Sequence, residues 1–244
     1  MCENAEWFKN WFDSPYYHLL YSNRNEEEAE FFMKNVASYL HLPKNSNIWD
    51  LACGKGRHAI QLNKLGYSVT GTDLAANSIA CALENQGANL DFYVHDMRTP
   101  FRINYFDAVF NLFTSIGYFS NYRDNFKVFE HVYNALKPGG YFVIDFLNAS
   151  HVKKHLVSDY RIVKNSCEFR IRKHIENEKV FKRIDFEADQ KPFYFEEVVS
   201  LLQEKDFDDF AAASGFVKKA VFGDYHLNVL KEESDRLIII YTKP

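Results

Sequence analysis

Short apolar runs alternate with segments of helical period through the first two-thirds of the chain. NIWDLAC, YSVTGTD, LDFYVHD, FDAVFNLF and GYFVIDFL are rich in β-branched and aromatic residues and read as strands. Between them, RHAIQLNKL, AANSIACALENQ and NYRDNFKVFEHVYNAL repeat their apolar positions at helical spacing, as helices with one buried stripe do. Gly66, Gly87 and the KPGG at residues 137–140 supply the stops. Mostly continuous apolar strands, each followed by a helix, predict a parallel sheet covered on both faces.

Residues 1–46 read as an N-terminal helical segment. In NRNEEEAEFFMKNVASYL, Phe31, Phe32, Val36 and Leu40 recur at roughly helical spacing, the acids sit in the first turn, and Pro43 ends the helix. Near residue 158 the period changes to two: Cys167, Phe169 and Ile171 alternate with Glu168, Arg170 and Arg172, IENEK reads as a hairpin turn, and KPFYFEEVVSLLQ adds a strand. No linker sets this stretch apart, so residues 158–205 are expected to be an antiparallel β insertion within one domain spanning 1–244. DFDDFAAASGF restores a helix closed by Gly215, and VKKAVFGD and RLIIIYTK form a final antiparallel pair.

Composition adds a few constraints. The 244 residues carry 29 basic and 33 acidic side chains, a net charge of −4, which argues against a duplex nucleic-acid binder. Residues 161–183 do hold eight basic residues against three acidic, but 158–205 as a whole balance at ten against ten. Cys2, Cys53, Cys81 and Cys167 lack metal or redox spacing, and free thiols in a reducing cytoplasm are expected. The first ten residues, MCENAEWFKN, hold no apolar signal-peptide core, no run of 18 or more apolar residues appears, and neither a membrane span nor a metal site is expected.

The chemistry centres on Gly54-Lys55-Gly56-Arg57-His58-Ala59, a G-x-G-x-x-A turn between a strand and a helix, with Asp73 about 20 residues on. Its glycines permit close backbone approach, and the helix N-terminus offers free N–H groups. A dinucleotide and a phosphate-free nucleoside both suit that turn. Asp50, four residues before Gly54, separates them: it repels a pyrophosphate and suits an amine or sulfonium. Asp96, beside Met97, ends the third strand run, where an adenine amino group can be accepted.

DLACGKGRH, VTGTD, HDMR, FDAVFNLFTSIGYF and LKPGGYFVIDF, in that order over about residues 47–147, resemble the class I S-adenosylmethionine-dependent methyltransferases. The resemblance implies an α/β, Rossmann-like sheet of seven strands with helices on both faces, whose last strand is antiparallel. YHLLYSNRNEEEAEFF, LFTSIGYF and the insertion are similar to small-molecule enzymes that methylate amino groups of nucleotide-linked sugars. By this resemblance Ala52, Gly54 and Gly56 approach the methionine part of S-adenosylmethionine, and Asp50 meets its amine. Asp73 takes the ribose hydroxyls, Leu74, Asp96 and Met97 frame the adenine, and Asn111 and Phe113 lie under the sulfonium. Arg24, or Arg57, pairs with the carboxylate. Tyr21 closes over the site; Tyr21 and Tyr118 are the catalytic candidates, with Ser115 and Gly117 in the same acceptor-facing loop as Tyr118.

Methyl transfer from a sulfonium chiefly needs alignment, and an amine acceptor needs less base help than a hydroxyl. His18, His58, His95, Tyr225 and His226 are the available proton acceptors, each more simply read as packed or solvated. The expectation is a cytoplasmic enzyme, monomeric or homodimeric, that methylates a small molecule, preferably at nitrogen. An RNA or protein methyltransferase, a dehydrogenase, and a cofactor-binding regulatory protein without turnover are the alternatives.

Overall fold

The computed structural model describes residues 7–22, 26–119 and 121–244. Two short helices, α1 (Trp7–Phe12) and α2 (Pro15–Leu20), precede α3 (Glu26–Leu40). Ser14 caps α2 through its hydroxyl, and Pro15 occupies the first turn, where its missing N–H costs nothing. In α3 the buried stripe is Ala29, Phe32, Met33, Val36, Ala37 and Leu40. Phe31, expected on that stripe, is 40% exposed because it sits next to Phe32, roughly 100° around the helix.

Alternation then runs β1 (Asn47–Leu51), α4 (Arg57–Lys64), β2 (Ser68–Asp73), α5 (Ala76–Leu83), β3 (Leu90–Val94), β4 (Phe106–Asn111), α6 (Tyr122–Ala135) and β5 (Leu136–Leu147). A seven-residue helix that the sequence pattern did not announce follows, α7 (Ala149–His155), capped by Asn148. The insertion supplies β6 (Asp159–Lys164), β7 (Cys167–Glu176), β8 (Lys179–Ala188) and β9 (Lys191–Ser200). The chain ends with α8 (Glu204–Ser214), β10 (Val217–Phe222) and β11 (Arg236–Thr242).

The main sheet has the order β3-β2-β1-β4-β5-β11-β10. β1 to β5 are parallel, and β11 enters antiparallel between β5 and β10. This is the expected seven-stranded class I arrangement, with its antiparallel final strand. The central strands β1, β4, β5 and β11 are largely apolar because both faces are covered, whereas β10 at the sheet edge carries Lys218 and Lys219. On one face α6 and α8 pack Phe129, Val132, Phe207 and Phe210 against Trp49, Phe142, Ile144 and Ile239. On the other, α3 and α4 pack Phe32, Val36, Ala59 and Leu62 against Ile48, Val69, Phe110 and Val143. The KPGG segment does more than stop α6: it lies within β5, where Gly139 N–H donates to Lys243 C=O and Gly140 C=O accepts from Lys243 N–H.

β6 to β9 form a separate four-stranded antiparallel sheet. Its tight turns at Asn165–Ser166, Asn177–Glu178 and Asp189–Gln190 all take positive φ at both residues, the twist-matched hairpin geometry. The sheet's apolar face, with Phe169, Ile171, Ile184 and Phe186, closes on Trp11 and Leu20 of α1 and α2. Those two helices therefore lie between the insertion and the carboxyl ends of the main sheet.

Candidate active site

The carboxyl ends of β1, β2 and β4 and the segment after β3 surround a cavity of about 690 Å³, roofed by α1 and α2. That volume falls in the range of small-molecule and cofactor sites, at the position where open α/β sheets bind ligands.

The floor is the glycine turn. Ala52 (φ 63°) and Gly54 (φ 56°) bend the backbone back after β1, and Gly56 (φ 80°) starts α4. A Cβ on Gly54 would meet nothing within 4 Å, whereas one on Gly56 would lie 2.6 Å from the Phe92 ring. Gly54 thus keeps the cavity open, and Gly56 permits packing beneath it. The turn is held from two sides: Cys53 N–H donates to Thr72 C=O at 2.9 Å, and Gly54 N–H donates to Asp73 Oδ2 at 2.7 Å.

Asp73 lines the cavity from the end of β2. Its Oδ1 accepts from Ala75 N–H at 2.8 Å, so each carboxylate oxygen has one backbone donor and a remaining lone pair. Burial pushes its carboxyl above the ordinary range despite these donors. Leu74 follows it into the lining. Asp50 is sealed beneath the turn and does not line the cavity. Its Oδ2 accepts from Ala59 N–H at 3.0 Å, tying β1 to the first turn of α4, and burial raises its carboxyl to about 7. Its role in this geometry is to brace the turn.

Asp96 and Met97 form the wall after β3. Burial pushes the Asp96 carboxyl up, but the Arg98 guanidinium and N–H more than offset this and hold it below the usual range. Arg98 reaches Asp96 Oδ2 at 2.6 Å and lies over Phe119, whose ring faces Phe8 of α1. His95 lines the same side, with Nε2 3.1 Å from Thr99 C=O, and burial lowers its pKa.

Beyond β4, Phe113, Ser115 and Tyr118 line the cavity. The Arg57 guanidinium lies 5.1 Å from the Phe113 ring centre and 4.0 Å from Glu28. Asn111 is buried behind this wall. Its Nδ2 donates to Leu51 C=O at 3.0 Å, and its Oδ1 has no hydrogen-bond partner among the described residues. Tyr118 packs edge-on against Trp7 and tilted against Phe12, and Tyr17 and Tyr21 complete the roof.

The sequence-derived candidates therefore divide. Ala52, Gly54 and Arg57 on the floor, Asp73, Leu74, Asp96 and Met97 on one wall, and Phe113, Tyr21 and Tyr118 around the opposite side share one cavity. Asp50, Gly56 and Asn111 stand just behind it. Arg24 and Cys2 lie outside the described residues. Phe8, Phe12 and Tyr17 line the cavity without having been anticipated, because their spacing in short aromatic helices carries no ligand signal. Glu197 was missed too: it accepts from Trp11 Nε1 at 2.6 Å and from Tyr21 hydroxyl at 2.8 Å, and pairs with Lys182 at 3.3 Å. This half-buried cluster pins the cavity roof to the insertion.

The site fits a phosphate-free, cationic nucleoside. Two carboxyls held above their ordinary range, the buried Asp50 and the half-buried Asp73, stand at the turn, the turn leaves room at Gly54, and the buried Asn111 amide oxygen is without a partner among the described residues behind β4. No described group of three or more His, Cys, Asp or Glu is placed to hold a metal ion.

Comparison with known proteins agrees. Residues 48–140 match a family model described as a methyltransferase domain. A glycine/sarcosine N-methyltransferase of Halorhodospira halochloris is 27% identical over 141 residues, covering 55% of this chain and 51% of the relative. The chain spans about half the length of the curated relatives it matches. An S-adenosylmethionine-dependent methyltransferase from Clostridium acetobutylicum superposes with a TM-score of 0.80 at 19% identity, covering 96% of this chain and 98% of the other. CalS10, an amino pentose methyltransferase from Micromonospora echinaspora solved with S-adenosylmethionine bound, gives a TM-score of 0.71 at 17% identity, over 95% and 98%. The fold is shared along nearly the whole chain, and the domain match falls on the segment that builds the cavity.

Proposed function

We propose that this methyltransferase of the class I fold binds S-adenosylmethionine in the cavity and delivers its methyl group to an amino group of a small molecule. The observation that carries the reading is the placement of Asp73: a half-buried carboxylate at the end of β2 that lines the cavity, already accepting the Gly54 amide of the turn, with one lone pair left on each oxygen for a ribose diol.

When bound, the cofactor supplies a methyl group on a positively charged sulfur, already a good electrophile. The protein's residues hold and align. Asp73 takes the ribose, Met97 and Leu74 pack on the base, Asp96 accepts from its amino group, and Arg57 takes the carboxylate. Asp50 acts through the turn, by fixing Ala59. The Phe113 face borders the position of positive charge. Tyr118 and Tyr21 border the acceptor space, and the roof of α1 and α2 excludes water. Alignment of this kind can supply much of the rate enhancement.

Two features support a small acceptor. The cavity is roofed by α1 and α2 and backed by the insertion sheet, which leaves no open platform for a polymer. The four arginines of the basic stretch 161–183 are matched on its own sheet: Arg161 pairs with Glu168, Arg170 with Asp159, and both Arg172 and Arg183 with Asp185. Nitrogen is preferred over oxygen because the lining imidazoles His18, His58 and His95 are engaged, by the Ser78 hydroxyl, by Arg57 and by Thr99 C=O. A neutral amine needs little base assistance. The glycine/sarcosine and amino pentose enzymes among the similar proteins point the same way. Among the described residues no helix is long and apolar enough to cross a membrane.

The test is a screen of amines, amino sugars, hydroxylated analogues and bulk tRNA with isotopically labelled cofactor, reading label in the acceptor. Transfer to amines with none to tRNA supports the reading. Transfer to tRNA alone overturns the small-molecule assignment.

A further inference from the structure

Behind the Phe113 loop lies a charged cluster that the proposed reaction does not use. Asp145 of β5 is fully buried, on the sheet face covered by α3. Its Oδ1 accepts from Arg236 Nε at 2.7 Å, and its Oδ2 accepts from the Tyr225 hydroxyl at 3.1 Å. The same Oδ2 accepts from Phe113 N–H at 3.1 Å, and the Asp145 carbonyl accepts from Thr114 N–H at 3.1 Å. Arg236 begins β11, two register positions from the residue opposite Asp145, and its guanidinium lies 5.5 Å from the Phe113 ring centre. Its Nη2 is buried and makes no hydrogen bond among the described residues. Tyr225 in turn stacks on Phe32 of α3 at 4.3 Å.

The loop these groups hold is in an unfavourable conformation. Phe113 (φ 64°) and Thr114 (φ 67°) are consecutive left-handed residues, neither is glycine, and Thr114 is β-branched. Such a kink persists only where surrounding structure over-determines it. It is also what turns the chain from β4 toward Ser115 and Tyr118 in the cavity wall.

We propose that Asp145 and Arg236 are positioning residues that hold the Phe113–Thr114 kink, and through it set the acceptor-facing wall of the cavity. Asp145 supplies two acceptors to the two kinked amides. Arg236 pairs with the carboxylate and flanks the Phe113 ring. The link to turnover rests on the reading that Ser115 and Tyr118 face the acceptor; the hold on the loop does not.

The double variant Asp145→Leu/Arg236→Met separates holding from mere packing. Replacing a buried ion pair by apolar residues of similar size often leaves stability intact, yet here it removes the side-chain acceptor for Phe113 N–H. Amide hydrogen exchange, measured without cofactor or acceptor, is expected to rise roughly 10-fold or more in the 112–119 segment and to stay unchanged in β1 and α6. Turnover falls while the melting temperature stays close to the parent's. Unchanged exchange at 112–119 overturns the proposal. Should the double variant not fold, Asp145→Asn and Asp145→Asn/Thr114→Gly carry the test. Glycine accepts the left-handed conformation freely, so protection and turnover recover in part if Asp145 holds the kink. No recovery of protection overturns the proposal. The exchange result stands or falls independently of whether the protein transfers methyl groups.

Discussion

Gly54 and Gly56 occupy the same motif for different physical reasons, and alanine at each position is expected to fail differently. At Gly56 two costs combine. Alanine at φ 80° carries a left-handed penalty of about 1–2 kcal/mol. Its Cβ would also sit 2.6 and 2.7 Å from two atoms of the Phe92 ring, inside a packed core, and overpacking of that kind adds about 1–3 kcal/mol. Gly56→Ala is therefore expected to lose about 2–5 kcal/mol, or roughly 5–15 °C in melting temperature for a chain of this size. Gly54→Ala bears only the backbone penalty, because nothing lies within 4 Å of its Cβ. It is expected to lose about 2–6 °C. Its methyl group, however, enters the cavity, so it weakens cofactor binding more than its stability loss suggests. Calorimetric melting and titration of S-adenosylmethionine on both variants check this. A third variant sharpens it: Phe92→Leu costs stability in the parent but recovers part of the loss in Gly56→Ala, a coupling expected for residues in contact. Equal melting losses for the two glycine variants, or strict additivity with Phe92→Leu, refute the reasoning.

Other consequences follow from the same geometry. Asp73→Asn sets an amide NH2 against one of two backbone donors, Gly54 and Ala75, and is expected to weaken S-adenosylmethionine binding roughly 10–100-fold by titration calorimetry. Asp50 is raised from an ordinary carboxylate value to about 7, so between about pH 4 and 7 the folded state holds more protons than the unfolded chain. Its contribution to stability therefore declines as pH rises through that window, by up to about 4 kcal/mol. Asp50→Asn, which cannot ionise and still accepts from Ala59, is expected to gain stability relative to the parent as pH rises; parallel curves of melting temperature against pH rule this out. Glu197→Gln leaves the half-buried Lys182 without its carboxylate, and is expected to cost about 1–3 kcal/mol and to raise proteolysis within α1 and α2.

How far the sequence revealed this protein depends on how local each signal is. The parallel core was legible because strands such as FDAVFNLF are mostly continuous apolar runs rather than alternating ones, as a sheet covered on both faces favours. The turn and Asp73 were legible because residue spacing fixes where a strand ends and a helix begins. Asp50 was recognised as important, but its side-chain direction was not: a residue at a strand end faces either the ligand or the core, and here it faces Ala59. The short helix α7 has too few turns for a periodic pattern to show. Trp11 and Glu197 are 186 positions apart, and nothing in either neighbourhood announces their contact. The Asp145–Arg236 pair did leave a trace, since GYFVIDFL holds a single charge, Asp145, within an apolar run, and RLIIIYTK opens on Arg236 directly before one. A lone charge in a buried strand calls for a partner, and two such strands in one sheet can supply each other.

The measurement that bears most directly on the central claim is ligand-induced stabilisation of the parent protein by S-adenosylmethionine, S-adenosylhomocysteine and NAD, each alongside Asp73→Asn. At about 100 times its dissociation constant a ligand adds roughly 2.7 kcal/mol. For a chain of this size that is a rise of about 5–10 °C. Both adenosyl compounds are expected to stabilise the parent, NAD to leave it unchanged, and Asp73→Asn to lose most of the rise. A rise with NAD alone, or no rise with either adenosyl compound, contradicts the account.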